Sequence, residues 1–411
     1  MTGPWEGSKR LARPFTDKRS RRLLAAFLVS ELGDGITAVV VPLGVYALTD
    51  SVTALASTFL GRKLAGSLFA AAGGAIADFT DRRRLLLASY VIRAVLVAAL
   101  IPLPATNPVA FVVIGVIVGA AGSFDNPAAE SALRASYRHD LQSLAAARKS
   151  GKTVSEMVGP AAGGLLFGIG GLTLALSINV ATFVLALILL AARQSMPAGA
   201  GKAADTRKMK VKDVSGSPVP RARFPPVVIM SFFSAASASF LVAVATALAV
   251  PYLAGLPKAP DGAYGFALSA YSIGALVGLW AAGVASWSTT RLKSILIFSS
   301  IAFGIITVLS VSVPRWEIFA AAWFIWGIAF GPEDVVSDAR VALIVPAGWL
   351  GRVYALWSIM GKFGAAGGYV LVIAISGLAA QSALLAIGLL YALIVPIVLV
   401  FLPREPRTSG A

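Results

Sequence analysis

Long apolar runs separated by short polar segments make up most of this chain. Windows of about 19 residues predict twelve membrane spans, because each run is long enough to cross a hydrocarbon core about 30 Å thick. The spans cover residues 23–48, 52–77, 85–104, 108–130, 148–170, 172–192, 227–254, 262–285, 292–313, 316–336, 352–376 and 380–402. The pattern therefore predicts an all-α membrane protein with twelve transmembrane helices.

The spans fall into two groups of six around one polar segment that is rich in Gly, Pro, Ser and basic residues. Such a composition is typical of a linker. Five regions are therefore expected: a basic cytoplasmic N-terminus 1–22, a six-helix half 23–192, a cytoplasmic linker 193–226, a six-helix half 227–402 and a cytoplasmic tail 403–411.

The two halves resemble each other at an offset of 209 residues. Pro42 near the outer end of span one matches Pro251 near the outer end of span seven, and Arg84 matches Lys293. Matches at equivalent points predict a duplicated six-span unit. Pseudo-symmetric halves around a central site are a common transporter architecture.

Basic residues are concentrated on one side of the predicted membrane. Of 35 Lys and Arg residues, only Lys258 and Arg315 lie in outer loops when the N-terminus is placed inside, which satisfies the positive-inside rule with both termini cytoplasmic. A hydrophobic content of 57% and a mean hydropathy of +0.82 fit a polytopic membrane protein. The net charge of +16 is thus explained by topology, and no nucleic-acid partner is expected.

Two acids lie inside span one. Asp34 is about 16 Å from Leu23, close to the bilayer centre, and Glu31 shares its helix face at spacing i, i+3. Intramembrane carboxylates are costly and mark substrate or proton paths. The alternative is a structural salt bridge or a water-facing pair without transport chemistry.

Span two carries Arg62 and Lys63 at mid-membrane depth, where cations need counter-charges. We expect Asp34 to pair with Arg62. Protonation of the carboxylate would then free the pair, and substrate would compete for it during alternating access. A permanent structural pair is the alternative. Because both central acids share one helix face, a facing pair for aspartyl proteolysis is not available, and we expect no enzyme activity.

Other charges have simpler interpretations. Lys152 and Glu156, at spacing i, i+4 in span five, are expected to neutralise each other. Acids near the cytoplasmic ends of spans four and ten could form a vestibule for cationic substrates, although hydrated helix ends are the favoured interpretation. These acids are Asp125, Glu130, Glu333, Asp334 and Asp338. No cysteine is present and no metal or cofactor is expected.

The loop after span two, GGAIADFTDRRRLLL, resembles the signature of the major facilitator superfamily. It departs from that signature at Phe79 and Asp81. The resemblance implies a cytoplasmic latch that joins the two halves in the outward-open state. The latch residues would be Gly74, Asp78, Arg82 and Arg83.

Span five contains GPAAGG, which resembles the antiporter motif of drug-exporting members of this superfamily. Its residues are Gly159, Pro160, Gly163 and Gly164. The resemblance implies export, and it implies that the small-residue stripe of span five packs on the stripe of span eight across the interface between the halves. A purely structural role for the motif is compatible with the same pattern.

Over its whole length the sequence resembles the bacterial macrolide-efflux and enterobactin-exporter branch. The arginine usual in span four of drug exporters is absent from VVIGVIVGAAG, which shifts proton coupling to Glu31, Asp34 and Arg62. The family lines its cavity with spans one, four, seven and ten. The resemblance therefore implies substrate contacts from Asp34, Arg62, Phe233, Phe240, Trp326 and Phe330.

The resemblance implies proton-coupled export of an amphipathic small molecule such as a drug, antibiotic or siderophore. It places a monomer in the bacterial cytoplasmic membrane, with substrate, protons and membrane lipid as partners. Uptake or exchange of a nutrient or lipid-like metabolite is a second hypothesis. A non-transporting receptor or scaffold on a transporter fold is a third, although a scaffold has no need for costly mid-membrane ions.

Overall fold

A computed structural model describes residues 18–77, 81–103, 107–136, 141–191, 225–284 and 292–402. Every regular element in these ranges is a helix, which confirms the all-α class. The helices are α1 Lys18–Thr49, α2 Val52–Ala77, α3 Arg82–Leu100, α4 Pro108–Ser136, α5 Leu141–Ala191, α6 Pro226–Ala254, α7 Ala263–Val284, α8 Leu292–Ser312, α9 Trp316–Ile344, α10 Ala347–Ala374 and α11 Ala380–Phe401.

Spans five and six both lie in α5, which is interrupted at Gly170 and Gly171. Gly171 adopts φ 64° and ψ −162°, a conformation that is essentially restricted to glycine. The helix direction therefore changes where the sequence places the boundary between the two spans.

Eight helices of the described part of the chain are long and apolar enough to cross a membrane. The protein is therefore a multi-pass membrane protein. Helices α2, α3 and α4 are not among the eight. Helix α3 carries Arg83, Arg84 and Arg93, and α4 contributes a shorter apolar helix, Val109–Ser123. The count of twelve spans stays a prediction.

The chain forms two compact units. The first comprises residues 1–49 and 61–217, and the second comprises residues 50–60 and 218–411. The expected linker 193–226 lies almost wholly outside the described residues, as does the tail 403–411 and all but the last five residues of the expected N-terminus 1–22.

Each unit is built from three helix pairs. In the second unit α6 packs on α10, α7 on α9 and α8 on α11. In the first unit α1 packs on the part of α5 before Gly170, α2 on α4 through Gly61 and Val116, and α3 on the part of α5 after Gly171. The order of the pairs is the same in both units, which supports the predicted duplication.

The third helix of each unit caps the C-terminal end of the unit's last helix, so α3 caps α5 and α8 caps α11. Arg83 at the start of α3 donates to the carbonyl oxygens of Leu190 and Ala191 at 3.2 and 2.9 Å. Lys293 at the start of α8 donates to the carbonyl oxygen of Val400 at 2.8 Å. The last carbonyls of a helix lack intrahelical donors and carry partial negative charge, so cations stabilise them. The two units therefore share this cap as well as their helix order.

Candidate functional site

An ion pair joins α1 and α3 in the first unit. Arg93 is 1% exposed, and its guanidinium donates to the Asp34 carboxylate. It also donates to Ser30 Oγ at 3.1 Å and lies 4.4 Å from the centroid of the Phe183 ring. The Asp34 side chain is 31% exposed. The cationic end of the pair is thus enclosed, whereas the anionic end is accessible.

This pairing corrects the expected partner of Asp34. The structure pairs Asp34 with Arg93 of α3 instead of Arg62 of α2, while Arg62 Nη1 donates to the Thr37 carbonyl oxygen at 3.4 Å. The reason is helix order in space, since α3 presents its only mid-span cation to the face of α1 that carries Asp34. On α4, a Cβ added at Gly122 would lie 3.0 Å from Asp34 Oδ2. A side chain there would therefore crowd the carboxylate.

Glu31 belongs to a separate charged group. Lys152 Nζ lies 3.7 Å from Glu31 Oε2 and 4.0 Å from Glu156 Oε1. The second distance confirms the expected pair of Lys152 and Glu156, and the first was not predicted. One ammonium group is therefore shared by two carboxylates from α1 and α5.

A neutral network lies between α1 and the later part of α5. Asn179 donates from Nδ2 to Thr37 Oγ1, and Thr37 Oγ1 donates to the Gly33 carbonyl oxygen at 3.0 Å. Thr182 Oγ1 donates to Asn179 Oδ1 at 3.2 Å. These bonds satisfy buried polar groups and hold span six against span one.

The expected antiporter motif packs on the helix that carries the acids. A Cβ added at Gly159 would lie 2.7 Å from Gly35 Cα, and one at Gly163 would lie 3.0 Å from the Ile36 carbonyl oxygen. Pro160 and Gly164 are buried in the same segment. The motif therefore brings α5 against α1 backbone to backbone. On span eight, Gly274 and Gly278 lie against the Phe324 and Ile328 carbonyl oxygens of α9. Each stripe thus packs on a helix of its own unit, which corrects the expected packing of one stripe on the other.

The expected latch is only partly covered by the described residues. Gly74 lies in α2, whereas Asp78 and the Arg82 side chain lie outside the described residues. Arg83, the fourth expected member, caps α5 within the first unit. The latch stays a prediction, and Arg83 has a structural role that the sequence did not indicate.

Glu333 in the second unit is buried, which corrects its assignment to a hydrated helix end. It is 6% exposed, while Asp334 and Asp338 on the same helix are exposed. Ser234 Oγ of α6 donates to Glu333 Oε1. Neighbouring positions on a helix point about 100° apart. Adjacent acids in α9 can therefore face opposite environments.

Aromatic side chains surround the same region of α9. Trp326 is 3% exposed, and its ring centroid lies 5.8 Å from those of Trp323 and Tyr271 and 6.1 Å from that of Phe303. This placement favours a packing role for Trp326 over substrate contact. The other expected substrate-binding aromatics are half-buried and stay predictions: Phe233, Phe240 and Phe330.

Repeated helix pairs and ionic groups inside membrane-spanning helices define the class of this protein as a polytopic membrane transporter. The model of the Major Facilitator Superfamily matches residues 23–256. This match spans more than half of the chain, which therefore belongs to the major facilitator superfamily. It is a transporter by family and not an enzyme.

Solved transporters share the fold. A bacterial homologue of the iron transporter ferroportin, in an inward-facing state, has a TM-score of 0.70 at 15% identity, covering 92% of this chain and 97% of that one. The nucleoside transporter NupG gives 0.68 at 13% identity, with 92% and 98% covered. A D-xylose-proton symporter gives 0.65 at 13% identity, with 96% and 100% covered. A search of curated proteins by sequence found no match.

Proposed function

We propose that this protein exports an amphipathic small molecule of the drug, antibiotic or siderophore type by proton antiport. It acts as a monomer in the bacterial cytoplasmic membrane, with both termini in the cytoplasm. The ion pair of Asp34 and Arg93 is the observation that carries the proposal, since its carboxylate is accessible and its guanidinium is enclosed. Charges at this depth are costly and mark transport paths.

The pair offers two states whose balance a proton and a substrate can change. Arginine does not lose its proton in proteins, so protonation of Asp34 removes the carboxylate charge beside Arg93, whose other partners include Ser30 Oγ and the ring of Phe183. A cationic group of the substrate can replace Arg93 as the partner of the Asp34 carboxylate. A proton that arrives at Asp34 then displaces this cationic group. Exchange at one carboxylate therefore couples the two movements.

Glu31 is the second candidate for proton binding. Its side chain is 11% exposed and it shares Lys152 with Glu156. A lysine held by two carboxylates neutralises one of them, so one acid of the group can take up a proton without leaving an ammonium unpaired. Arg62, half-buried on α2, adds positive charge near α1 through its bond to Thr37. We assign Glu31 and Arg62 to the coupling site together with Asp34.

The half-buried aromatics of the second unit are proposed to contact the apolar part of the substrate. Phe233 and Phe240 lie on α6 and Phe330 lies on α9, corresponding to spans seven and ten. Ligand pockets are lined mainly by apolar and aromatic side chains with a few polar groups that fix orientation. An amphipathic cation has a charged group suited to a carboxylate and an apolar part suited to aromatic residues.

Uptake or exchange of a nutrient or lipid-like metabolite is the second candidate. The fold is shared with a protein described as a D-xylose-proton symporter, so the fold alone is compatible with either direction. Export is favoured by the GPAAGG segment and its contact with the helix that carries the acids.

Proteoliposome transport tests the proposal. A panel of lipophilic cations, zwitterions and neutral compounds is assayed under an imposed pH gradient, with wild type, Asp34→Asn and the control Asp338→Asn. Asp338 is exposed on α9, so its variant keeps transport. We expect gradient-driven movement of at least one cation that Asp34→Asn abolishes at a temperature where this less stable variant is still folded.

Equal transport by wild type and Asp34→Asn would assign a structural role to this acid and leave coupling to Glu31. Movement of substrate in the same direction as the proton would favour the uptake hypothesis. Transport that persists without any gradient would exclude proton antiport.

A further inference from the structure

The carboxyl group of Glu333 belongs to the second unit, whereas the acids that the proposed function uses belong to the first. It is 6% exposed in a helix long and apolar enough to cross the membrane. Among the described residues its hydrogen-bond partner is Ser234 Oγ, and none of the salt bridges there includes it. A buried carboxylate without a cation is among the costliest groups a membrane protein can hold.

Helices α6 and α9 run antiparallel at this point. Tyr252, near the end of α6, lies 5.4 Å from Phe319, near the start of α9, measured between ring centroids. Ser234, near the start of α6, meets Glu333 in the later part of α9. Residues that precede Ser234 in α6 therefore lie towards the same end of the helix pair as residues that follow Glu333 in α9.

Two more serines lie about one helical turn towards that end of the helix pair. Ser231 precedes Ser234 by three positions, and Ser337 follows Glu333 by four, so each shares a helix face with the residue from which it is counted. One helical turn is about 5.4 Å. Both hydroxyl groups are therefore placed on the same side of the carboxyl group, at similar depth.

Both of these hydroxyl groups lack a hydrogen-bond partner among the described residues. Ser231 is 0% exposed and Ser337 is 2% exposed. A buried hydroxyl group without a partner costs about 1–3 kcal/mol. Two such groups, each about one helical turn from the contact between Ser234 and Glu333, supply unused donors and acceptors near a buried carboxyl group.

We propose that Glu333, with Ser231, Ser234 and Ser337, is a second proton-binding site of this transporter. An ionised carboxylate only accepts hydrogen bonds, whereas a protonated carboxyl group also donates one. A serine hydroxyl donates or accepts by rotating, so the three serines can serve both protonation states. The unused hydroxyl groups are the partners that change role when the proton binds or leaves.

Among the described residues, the groups that act electrostatically on Glu333 are an acid and two tyrosines, and none of them is a cation. Helix α6 contributes the serines, α7 contributes Tyr271, α11 contributes Tyr391, and α9 itself contributes Asp334. Each tyrosine is neutral or negative, and Asp334 is an acid. Proton uptake by Glu333 therefore removes an uncompensated charge from the interior.

This site rests on the proposed proton coupling for its role in transport, but its protonation can be measured without transport. Infrared difference spectra between acidic and alkaline buffers are recorded on the purified full-length protein in lipid nanodiscs. The carboxylic-acid carbonyl band of Glu333 is expected in wild type and in Asp338→Asn, and it is expected to be lost in Glu333→Gln. The glutamine variant resembles the protonated acid in shape and charge, which favours folding.

A double variant, Ser231→Ala with Ser337→Ala, provides a second readout if Glu333→Gln folds poorly. Loss of two hydroxyl donors weakens the charged form more than the neutral form, because hydrogen bonds to ionised groups are stronger. We expect the titration midpoint of the band to move to more alkaline buffer, and an unchanged midpoint would overturn the proposal.

Three further results would overturn it. The titrating band could survive in Glu333→Gln, or no buried carboxyl group could titrate in wild type. Sodium could also abolish the band at constant pH and ionic strength where choline does not, which would make this a metal-cation site. Failure of drug export with a titrating Glu333 would reject the proposed function and leave the proton site standing.

Discussion

At the scale of single residues, the enclosure of Arg93 separates structural from functional roles in the first cluster. Its guanidinium has a carboxylate, a hydroxyl group and an aromatic ring around it. An arginine at this depth cannot shed its charge and needs a counter-ion. The ionised carboxylate of Asp34 therefore stabilises the fold by pairing with Arg93. The same ionised form is the one that a cationic substrate would bind.

The first prediction is that Asp34→Asn lowers stability and that Asp34→Asn with Arg93→Gln restores much of it. Removing one partner of a buried ion pair lowers the free energy of unfolding by about 3–5 kcal/mol. Because Asp34 is partly exposed, we expect a loss of about 3 kcal/mol or less. Thermal unfolding in detergent measures the effect. Equal midpoints for the single and double variants would show that the uncompensated charge is not the cause.

The sequence identified Asp34 but not its partner, and the reason is spatial. Arg93 stands alone in the apolar run YVIRAVLV, a signal as strong as that of Arg62. To choose between Arg62 and Arg93, one must know which helix packs against the Asp34 face of span one, and the order of the spans along the chain does not reveal this. Glu333 was grouped with the exposed acids because several acids close together in sequence usually lie at a solvent-exposed helix end. Helical periodicity nevertheless allows one of them to face the interior.

At the scale of helices, close packing depends on glycines at a few positions. In α10 a Cβ added at Gly368 would lie 2.6 Å from the Phe240 carbonyl oxygen. At the adjacent Gly367 the nearest atom, Phe240 Cδ2, is 3.8 Å away. The structure therefore has room for a side chain at Gly367 but not at Gly368, and the sequence alone does not show this difference.

The second prediction contrasts these neighbours. Gly368→Ala should destabilise the protein by about 1–3 kcal/mol through overpacking against α6. Gly367→Ala should be neutral or stabilising by up to about 1 kcal/mol, since alanine is the better helix former. Chemical denaturation in mixed micelles gives both values. Similar losses for both variants would mean that helix propensity and flexibility, and not the contact, set the outcome.

The third prediction concerns the helix caps. Arg83→Ala and Lys293→Ala should each cost about 0.3–1 kcal/mol, the usual range for a cation at a helix C-terminus. Arg84→Ala is the matched control, because that side chain is exposed. Amide hydrogen exchange at the ends of α5 and α11 should rise only in the corresponding cap variant. If amide exchange also rises in Arg84→Ala, the cause is the reduced positive charge of this region and not the loss of the cap.

At the scale of the whole molecule, the sequence predicted the duplication and the all-α class well. Apolar runs, the 209-residue offset and the small-residue stripes were readable directly. The pairing of helices was not, because the stripe in α5 fits several partners and only the structure shows it against Gly35. The interruption at Gly170 and Gly171, by contrast, lies where the sequence places the boundary between spans five and six.

The fourth prediction is the orientation of the chain. A green fluorescent protein fused to the C-terminus should fluoresce, and alkaline phosphatase at the same point should be inactive, because basic residues keep this end in the cytoplasm. A phosphatase inserted beside Lys258 should be active, since that loop is expected outside. The reverse pattern would invert the topology and the transport direction inferred from it.

The edge-to-face pair of tryptophans in α9 provides an intrinsic optical signal. Seven of its eight tryptophans lie in the second unit, and the remaining one is Trp5. Trp323 and Trp326 lie 5.8 Å apart with their rings nearly perpendicular, close enough for their excited states to mix. Tryptophan emission and near-ultraviolet dichroism therefore report almost entirely on the second unit. Unfolding of the first unit needs a separate label.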